Sequence, residues 1–493
     1  MDFLKIAKQD NVIVALKDFS KGDTIHLDND TITLQEPIVS GHKIAISPIQ
    51  TGDAVIKYGA PIGIAQSDIS KGAHVHTHNL KTGLDGLLNY EYQPSLNELT
   101  PQEKGYFKGF RRPDGKVGIR NEVWIIPTVG CVNTNAQKMA QDAQAFLGGS
   151  IDGIYAFPHP YGCSQLSDDL ENTKRALAGL INHPNAAAVL VLGLGCENND
   201  VKDMQEILGT WDDKRVKFLV CQDVDDEYQA AHKLLAELSD YAKSFTREDV
   251  PMGELIVGLK CGGSDGFSGI TANPLVGAFT DRLIAEGGTA LLTEVPEMFG
   301  AETLLMNRCE TPELFEQTVS LINDFKQYFI DNNQEIYENP SPGNKDGGIS
   351  TLEDKSLGCT QKGGTANVTA VLGYAEPAKT KGLNLLSGPG NDLVSISNMT
   401  ASGAHIILFT TGRGTPFGTA APTVKISSNT ALATKKSGWV DFNAGVLLDG
   451  VPMDELCDKL YAYIRALASG EIKTKSEETG AREFTIFKTG VTL

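Results

Sequence analysis

No run in this chain is long and apolar enough to span a bilayer; the longest, around Ala186 to Gly195, falls far short. The amino terminus, Met1-Asp-Phe-Leu-Lys-Ile-Ala-Lys-Gln-Asp10, lacks the basic start, apolar stretch and small-residue cleavage site of a secretory leader. Positive charge is scarce: 43 Lys and Arg face 62 Asp and Glu, a formal net charge of −19. That argues against nucleic-acid binding, which needs concentrated basic surface to displace counterions. It also means that an anionic substrate must be gripped by local cations or a metal, because long-range steering opposes it. The eight cysteines include no Cys-x-x-Cys, which argues against zinc-finger and ferredoxin readings, and they are scattered without a short framework, which in a reducing cytosol argues against disulfides. Neither a Gly-x-x-x-x-Gly-Lys-Ser/Thr loop nor a Gly-x-Gly-x-x-Gly opening a first βαβ unit is present, so nucleotide binding has no motif to rest on. These absences predict a cytoplasmic protein without disulfides. Its expected partners are a small molecule and at most further copies of the chain, with neither nucleic acid nor membrane.

What the chain does have is a set of glycine-flanked polar blocks, most of them closing an apolar run. They are His159-Pro-Tyr-Gly-Cys163, Gly193-Leu-Gly-Cys-Glu197, Cys261-Gly-Gly-Ser-Asp265, Thr293-Glu-Val-Pro-Glu297 and Gly412-Arg-Gly-Thr415. An open α/β sheet binds ligands beyond the carboxyl ends of its strands, and glycine lets backbone approach a ligand closely. Repetition of the arrangement reads as one polar site assembled from distant segments, hence an enzyme.

The organisation divides in two. Residues 1–95 carry short strands between Lys-Gly, Ser-Gly and Thr-Gly turns, the pattern of a small all-β module. Residues 96–115 are polar and read as a linker. From 116 to 336 apolar strands alternate with helical stretches, which implies βαβ units and a largely parallel sheet. The punctuated segment 337–350 reads as a loop, lid or arm, and 351–493 resumes the alternation as a second α/β domain. The expected fold class is an α/β body with largely parallel sheets behind a small all-β domain.

Several residues could carry chemistry. In a strand, His74, His76 and His78 would share one face and could bind a divalent metal. His42-Lys43 is weaker, more typical of a surface turn. Cys131, Cys163, Cys196 and Cys261 each end an expected strand. They either converge on iron, as one ion or a cluster, or fill space as small buried residues. Glu294 and Glu297 suit metal ligation or acid/base work. Lys355, Lys362, Arg413 and Lys425 are local cations for a carboxylate, Arg413 foremost because its fork binds carboxylate bidentately.

Long blocks in fixed order carry a resemblance. Gly118-Ile-Arg-Asn121, Thr128-Val-Gly-Cys-Val-Asn133, Gly193-Leu-Gly-Cys-Glu-Asn-Asn199, Cys261-Gly-Gly-Ser-Asp265, Glu353-Asp-Lys-Ser-Leu-Gly-Cys359 and Thr411-Gly-Arg-Gly-Thr-Pro416 resemble the altronate/galactarate dehydratase family end to end. Ser40-Gly-His-Lys-Ile-Ala45 and Lys57-Tyr-Gly59 resemble its SAF (β-clip) domain. The His-x-His-x-His run and Cys359 are features of the altronate type. The resemblance implies dehydration of D-altronate to 2-dehydro-3-deoxy-D-gluconate in hexuronate breakdown, with Fe2+ as the usual metal. Mn2+ or another divalent ion could replace it, and an iron–sulfur cluster stays open. Galactarate is the alternative substrate, and a non-catalytic sugar-acid-binding protein the alternative of another class. For a metal-assisted β-elimination, residue chemistry selects His76 and His78 as ligands, followed by His74, Cys163 and Cys196. It selects His159, Lys43 and Glu294 for proton transfer, and Arg413 for the carboxylate, with Ser264, Asp265 and Lys362 beside the substrate.

Overall fold

The computed structural model describes residues 2–28 and 30–493. The front module is all β, as expected. An antiparallel sheet orders Phe3–Leu4, Val12–Ala15, Lys43–Ala45 and His74–Val75, and a three-stranded sheet orders Ala54–Lys57, Ala60–Ala65 and Leu80–Lys81. Its turns need glycine. Gly72 has φ +82°, and a Cβ there would lie 2.1 Å from the Thr33 carbonyl oxygen.

Residues 82–105 have no regular structure but are tied down. Tyr90 donates to Glu302, Tyr92 donates to the Cys309 carbonyl, and the Ser95 amide donates to Asn307. They form a strap from the front module across the last domain. The expected linker 96–115 is partly a strand: Tyr106–Arg111 pairs with Val117–Gly118 and with Glu248–Pro251.

The second domain has a parallel four-stranded sheet in the order Gly153–Ala156, Glu122–Pro127, Ala186–Gly193, Val216–Val220. Helices on both faces leave every residue of Ala186–Gly193 buried, which is why that segment is continuously apolar.

The third domain is a seven-stranded parallel sheet. Its order is Val368–Leu372, Gly382–Leu386, Thr289–Leu292, Ile256–Cys261, Ile406–Thr411, Thr423–Ser427, Phe442–Asn443. Strands from both sides of 337–350 therefore share one sheet. Helix Glu227–Lys243 still packs on the four-stranded sheet and Ile256–Cys261 already belongs to the seven-stranded one, so the α/β domains divide between them and the span 116–336, expected as one domain, holds parts of two. Local punctuation at 337–350 marks a loop within a domain. Alternation of strand and helix continues across the true boundary, so it could not reveal it.

Helix Leu352–Cys359 is exceptional. All eight of its residues are buried, including Glu353, Asp354 and Lys355. It lies between the front module's strand Ala60–Ala65 and the turn Val295–Glu297 at the carboxyl edge of the large sheet. Charged residues are almost never fully buried unless paired. Among the described residues, no helix is long and apolar enough to cross a membrane.

Candidate active site

Three imidazoles converge at the edge of the front module. His42 Nδ1 lies 2.9 Å from His74 Nε2, and ligand atoms of His42, His74 and His76 all fall within 4.8 Å of one another. His42 Nε2 faces the Asp346 carbonyl oxygen at 3.3 Å, and His76 Nδ1 faces Ser350 Oγ at 3.0 Å. Burial, then neighbouring imidazoles, push His74 down to about 3. Burial, then Lys43, push His76 down to about 4, and burial lowers His42 too. Neutral imidazoles with outer partners fixing their rings are the form that ligates a metal. The set fits a divalent ion such as Fe2+ or Mn2+.

This trio is not the one expected. The strand ends at Val75 and turns, with Asn79 Oδ1 accepting the His76 amide, so His78, though its ring centroid stays 5.4 Å from that of His74, is exposed and outside the group of converging ligand atoms. His42 takes its place, because Lys43–Ala45 pairs directly with His74–Val75. The residue assigned to a surface turn is thus inside the site. Its turn approaches the 337–350 loop closely: a Cβ on Gly41 would lie 3.2 Å from the Gly347 carbonyl oxygen.

Beside the imidazoles, Lys43 is wholly buried, its Nζ 2.9 Å from Asp354 Oδ2 and 2.7 Å from the Gly348 carbonyl oxygen. Lys57 Nζ meets Asp354 Oδ1 at 2.9 Å. Burial opposes the charge of Asp354, but the two lysines outweigh it and hold the carboxyl well below its usual range. The lysines divide. Burial brings Lys43 down to about 8, whereas on Lys57 the same desolvation is overcome by Asp354 and the pKa rises.

One helical turn on is a second cluster, at the carboxyl ends of the central strands. Cys261 Sγ and Cys359 Sγ are 3.2 Å apart, and Glu297 Oε2 lies 3.2 and 3.3 Å from them. Lys362 Nζ is 2.7 Å from Cys261 Sγ and 3.2 Å from Glu294 Oε2. Lys355 Nζ is 2.7 Å from Glu297 Oε1; Lys260 pairs with Glu294 and, at 2.9 Å, with Asp392. Burial resists ionisation of both glutamates. At Glu297 the three lysines win and lower the pKa; at Glu294 burial and the neighbouring Glu297 prevail and raise it. Two carboxyls pushed apart in this way suit an acid/base division of labour. Cys261, Glu297 and Cys359 also form a possible metal-ligand group. Lys362 already donates to Cys261 Sγ, and the positive charge of Lys260, Lys355 and Lys362 around this group opposes a cation, so the imidazoles fit an ion better. A small cavity lined by Lys57, Tyr58, Asp265, Asp354, Lys355 and Cys359 lies between the clusters.

Of the other residues singled out, Glu294 and Lys362 belong to this cluster. Arg413 is exposed at its rim: its amide donates to the Gly263 carbonyl, its side chain lies beside Gly343, and its guanidinium pairs with no carboxylate among the described residues. Asp265 is buried and saturated by Ser268, Ser428, Asn429 and the Phe267 amide, so it organises loops and has little left for substrate. The Ser264 carbonyl accepts from Asn344. Lys425 is buried against Phe409 and Phe417, with Nζ on the Phe417 carbonyl, away from any ligand role. His159 sits in the second domain with both ring nitrogens engaged by backbone, Nε2 on the Pro127 carbonyl and Nδ1 on the Tyr161 amide. That gives it a loop-positioning task in place of proton transfer. Cys163 and Cys196 lie in the same domain and are not in the imidazole group. Missed altogether were Lys260, Asp354 and Asp392. For Asp354 a signal existed in the polar block Glu353-Asp-Lys-Ser before Leu-Gly-Cys, but burial of that helix is a tertiary fact.

A cavity of about 900 Å3 lies elsewhere, lined by residues such as Ile256 and Thr289 at the starts of their strands. Ligands of open α/β sheets sit at the opposite edge.

Three family models together match nearly the whole chain. They are the altronate/galactarate dehydratase SAF domain over residues 1–83, the D-galactarate dehydratase/altronate hydrolase second domain over 109–243, and the D-galactarate/altronate dehydratase C-terminal domain over 252–492. The chain is 55% identical to an altronate dehydratase of Bacillus subtilis (strain 168), covering 100% of this chain and 99% of the relative. It is 51% identical to an altronate dehydratase of Escherichia coli (strain K12), covering 100% of both. Identity is 32% to a galactarate dehydratase (L-threo-forming) of Escherichia coli (strain K12), over 97% of this chain and 95% of the relative.

Proposed function

This chain belongs to the D-galactarate/altronate dehydratase family, and from that premise we propose that it is a hydro-lyase removing water from D-altronate to give 2-dehydro-3-deoxy-D-gluconate. The choice of altronate over galactarate is supported by the gradient of identity, 55% and 51% against 32%. The observation that carries the chemistry is the coupling, through Asp354, of a neutral imidazole trio to a buried lysine and a carboxyl–lysine cluster.

The C2 proton of an aldonate is hard to remove because charge builds up beside a carboxylate. His42, His74 and His76 would hold the divalent ion, ferrous iron in our reading, which supplies positive charge where that negative charge develops. Arg413 clamps the substrate carboxylate from the rim. Lys43, beside the imidazoles, takes the C2 proton at Nζ, and Asp354 keeps that nitrogen oriented. The Glu294–Glu297 pair, with its lysines, delivers a proton to the departing C3 hydroxyl. The enol that results becomes the keto acid without further catalysis.

Anaerobically purified protein supplied with Fe2+ should form semicarbazide-reactive keto acid from D-altronate, with galactarate at least about tenfold poorer in kcat/KM. Equal turnover of galactarate would overturn the substrate choice. Tight binding without keto product would overturn the chemistry.

A further inference from the structure

Free cysteine is among the most buried residue types, and Cys261, Cys309, Cys359 and Cys457 follow that rule. Cys131, Cys163 and Cys196 break it together, all three being exposed. Each follows one of three adjacent strands of the second domain's parallel sheet, with Glu122–Pro127 central and Gly153–Ala156 and Ala186–Gly193 on either side. Neighbouring strands stand about 4.8 Å apart, so the roots of the outer two turns are about 10 Å apart and the third lies between them.

The turns are knitted into one rigid surface. The Gly130 amide donates to the Tyr161 carbonyl and the Asn199 amide to the Gly162 carbonyl. The Ser164 amide donates to Asn198 Oδ1, and Asn199 Nδ2 to the Thr128 carbonyl. Glu197 takes the amides of Leu194, Gly195 and Cys196 at 2.9, 2.6 and 2.9 Å, fixing the backbone that presents Cys196. Gly162 has φ +99°, and a Cβ there would lie 2.1 Å from the Thr128 carbonyl oxygen, so the Cys163 turn is pressed onto the Cys131 turn. His159 holds the same turn through both its ring nitrogens.

We propose that Cys131, Cys163 and Cys196 anchor an iron–sulfur cluster on the carboxyl edge of the second domain. Space-filling cannot explain exposed side chains, and three exposed thiols on one surface are a liability unless they are used. Thiolates select zinc, copper(I) or iron–sulfur. A single tetrahedral ion, with sulfur about 2.3 Å away, draws its thiolates to within about 3.8 Å of each other. The three sulfurs do not form a group within 4.8 Å, unlike the imidazole trio. Iron bridged by sulfide spans wider gaps, and three thiolates leave one iron of a four-iron cluster without a cysteine. This inference is independent of which sugar acid is the substrate.

The test is chemical analysis of the full-length protein, purified anaerobically and reconstituted with Fe2+ and sulfide. Acid-labile sulfide near about four per chain is expected, with the broad visible absorption of sulfide-bridged iron. Cys131→Ser, Cys163→Ser and Cys196→Ser should each lower sulfide at least about tenfold, while Cys309→Ser retains it. Iodoacetamide mapping needs no variant: the three thiols should be protected in the loaded protein and alkylated after iron is removed. Absence of sulfide after reconstitution, equal alkylation in both forms, or equal loss in Cys309→Ser would overturn the proposal. Turnover of altronate by sulfide-free protein would also overturn any need for the cluster, and leave the dehydratase reading intact. Sulfide-loaded protein inert on altronate would do the reverse.

Discussion

Lys43 and its neighbours show how much chemistry one buried position can concentrate. The imidazole trio is neutral because burial and mutual repulsion forbid its protonation, so the lone pairs stay available. His42→Ala and His76→Ala should each lower turnover at a fixed low Fe2+ concentration by at least about 100-fold, whereas exposed His78→Ala should cost less than about tenfold. Steady-state assays across an Fe2+ titration separate the two classes. At the rim, Arg413→Lys keeps the charge but loses the fork; KM for altronate should rise about tenfold with kcat little changed. Buried histidines outside the trio set the acid stability. His183 donates through Nε2 to the Ala404 carbonyl and accepts the Asn185 amide at Nδ1; burial, then His405, bring it from 6.5 to about 3. The unfolded chain therefore takes up the proton first, and stability present above pH 6.5 is lost as pH falls towards 4. Each pH unit in that window costs about 1.4 kcal/mol per such group. Thermal midpoints should drop steeply from pH 6.5 to 4 in the parent and less steeply in His183→Gln.

Among the elements, helix Leu352–Cys359 is decisive. It carries Asp354 towards the front module and Lys355 and Cys359 towards the sheet edge, so a single rigid turn relates the two clusters. Asp354→Asn would leave Lys43 and Lys57 facing each other without a counter-charge. Removal of one partner from a buried ion pair costs about 3–5 kcal/mol, which a denaturant titration would read as a large drop in midpoint with m unchanged. The strands that end in this site were legible, since continuous apolar runs closing on glycine have few other meanings. The imidazole pattern was legible only in kind. Alternation at His74, His76 and His78 signals a shared face if the strand persists, but it stops at Val75, and His42 arrives through pairing over 30 residues away. No local pattern records that Leu352–Cys359 is enclosed on all sides, so its charged residues read like any surface helix. The domain boundary was hidden for a similar reason: order in a parallel sheet is set by crossovers, and Ile256–Cys261 pairs with the distant strand Ile406–Thr411.

Over the whole molecule, the site is divided between the front module and the last domain. The front module has its own sheets and one core of its own, while Ala301 and Leu357 of the last domain complete its second core. The strap packs against the last domain through Tyr90 and Tyr92. A chain divided after Gly83, with both pieces produced together, should associate and regain altronate turnover within about tenfold of the intact protein. Size-exclusion chromatography with a parallel activity assay checks this. Either piece alone should be inactive, because the trio and Lys43 belong to one and Asp354 to the other. Asp354 thus acts as a lock that only the front module can turn: with both its lysines withdrawn, an anion would be stranded in an enclosed helix. Assembly and competence then become a single event, and a partly docked enzyme is too unstable to accumulate.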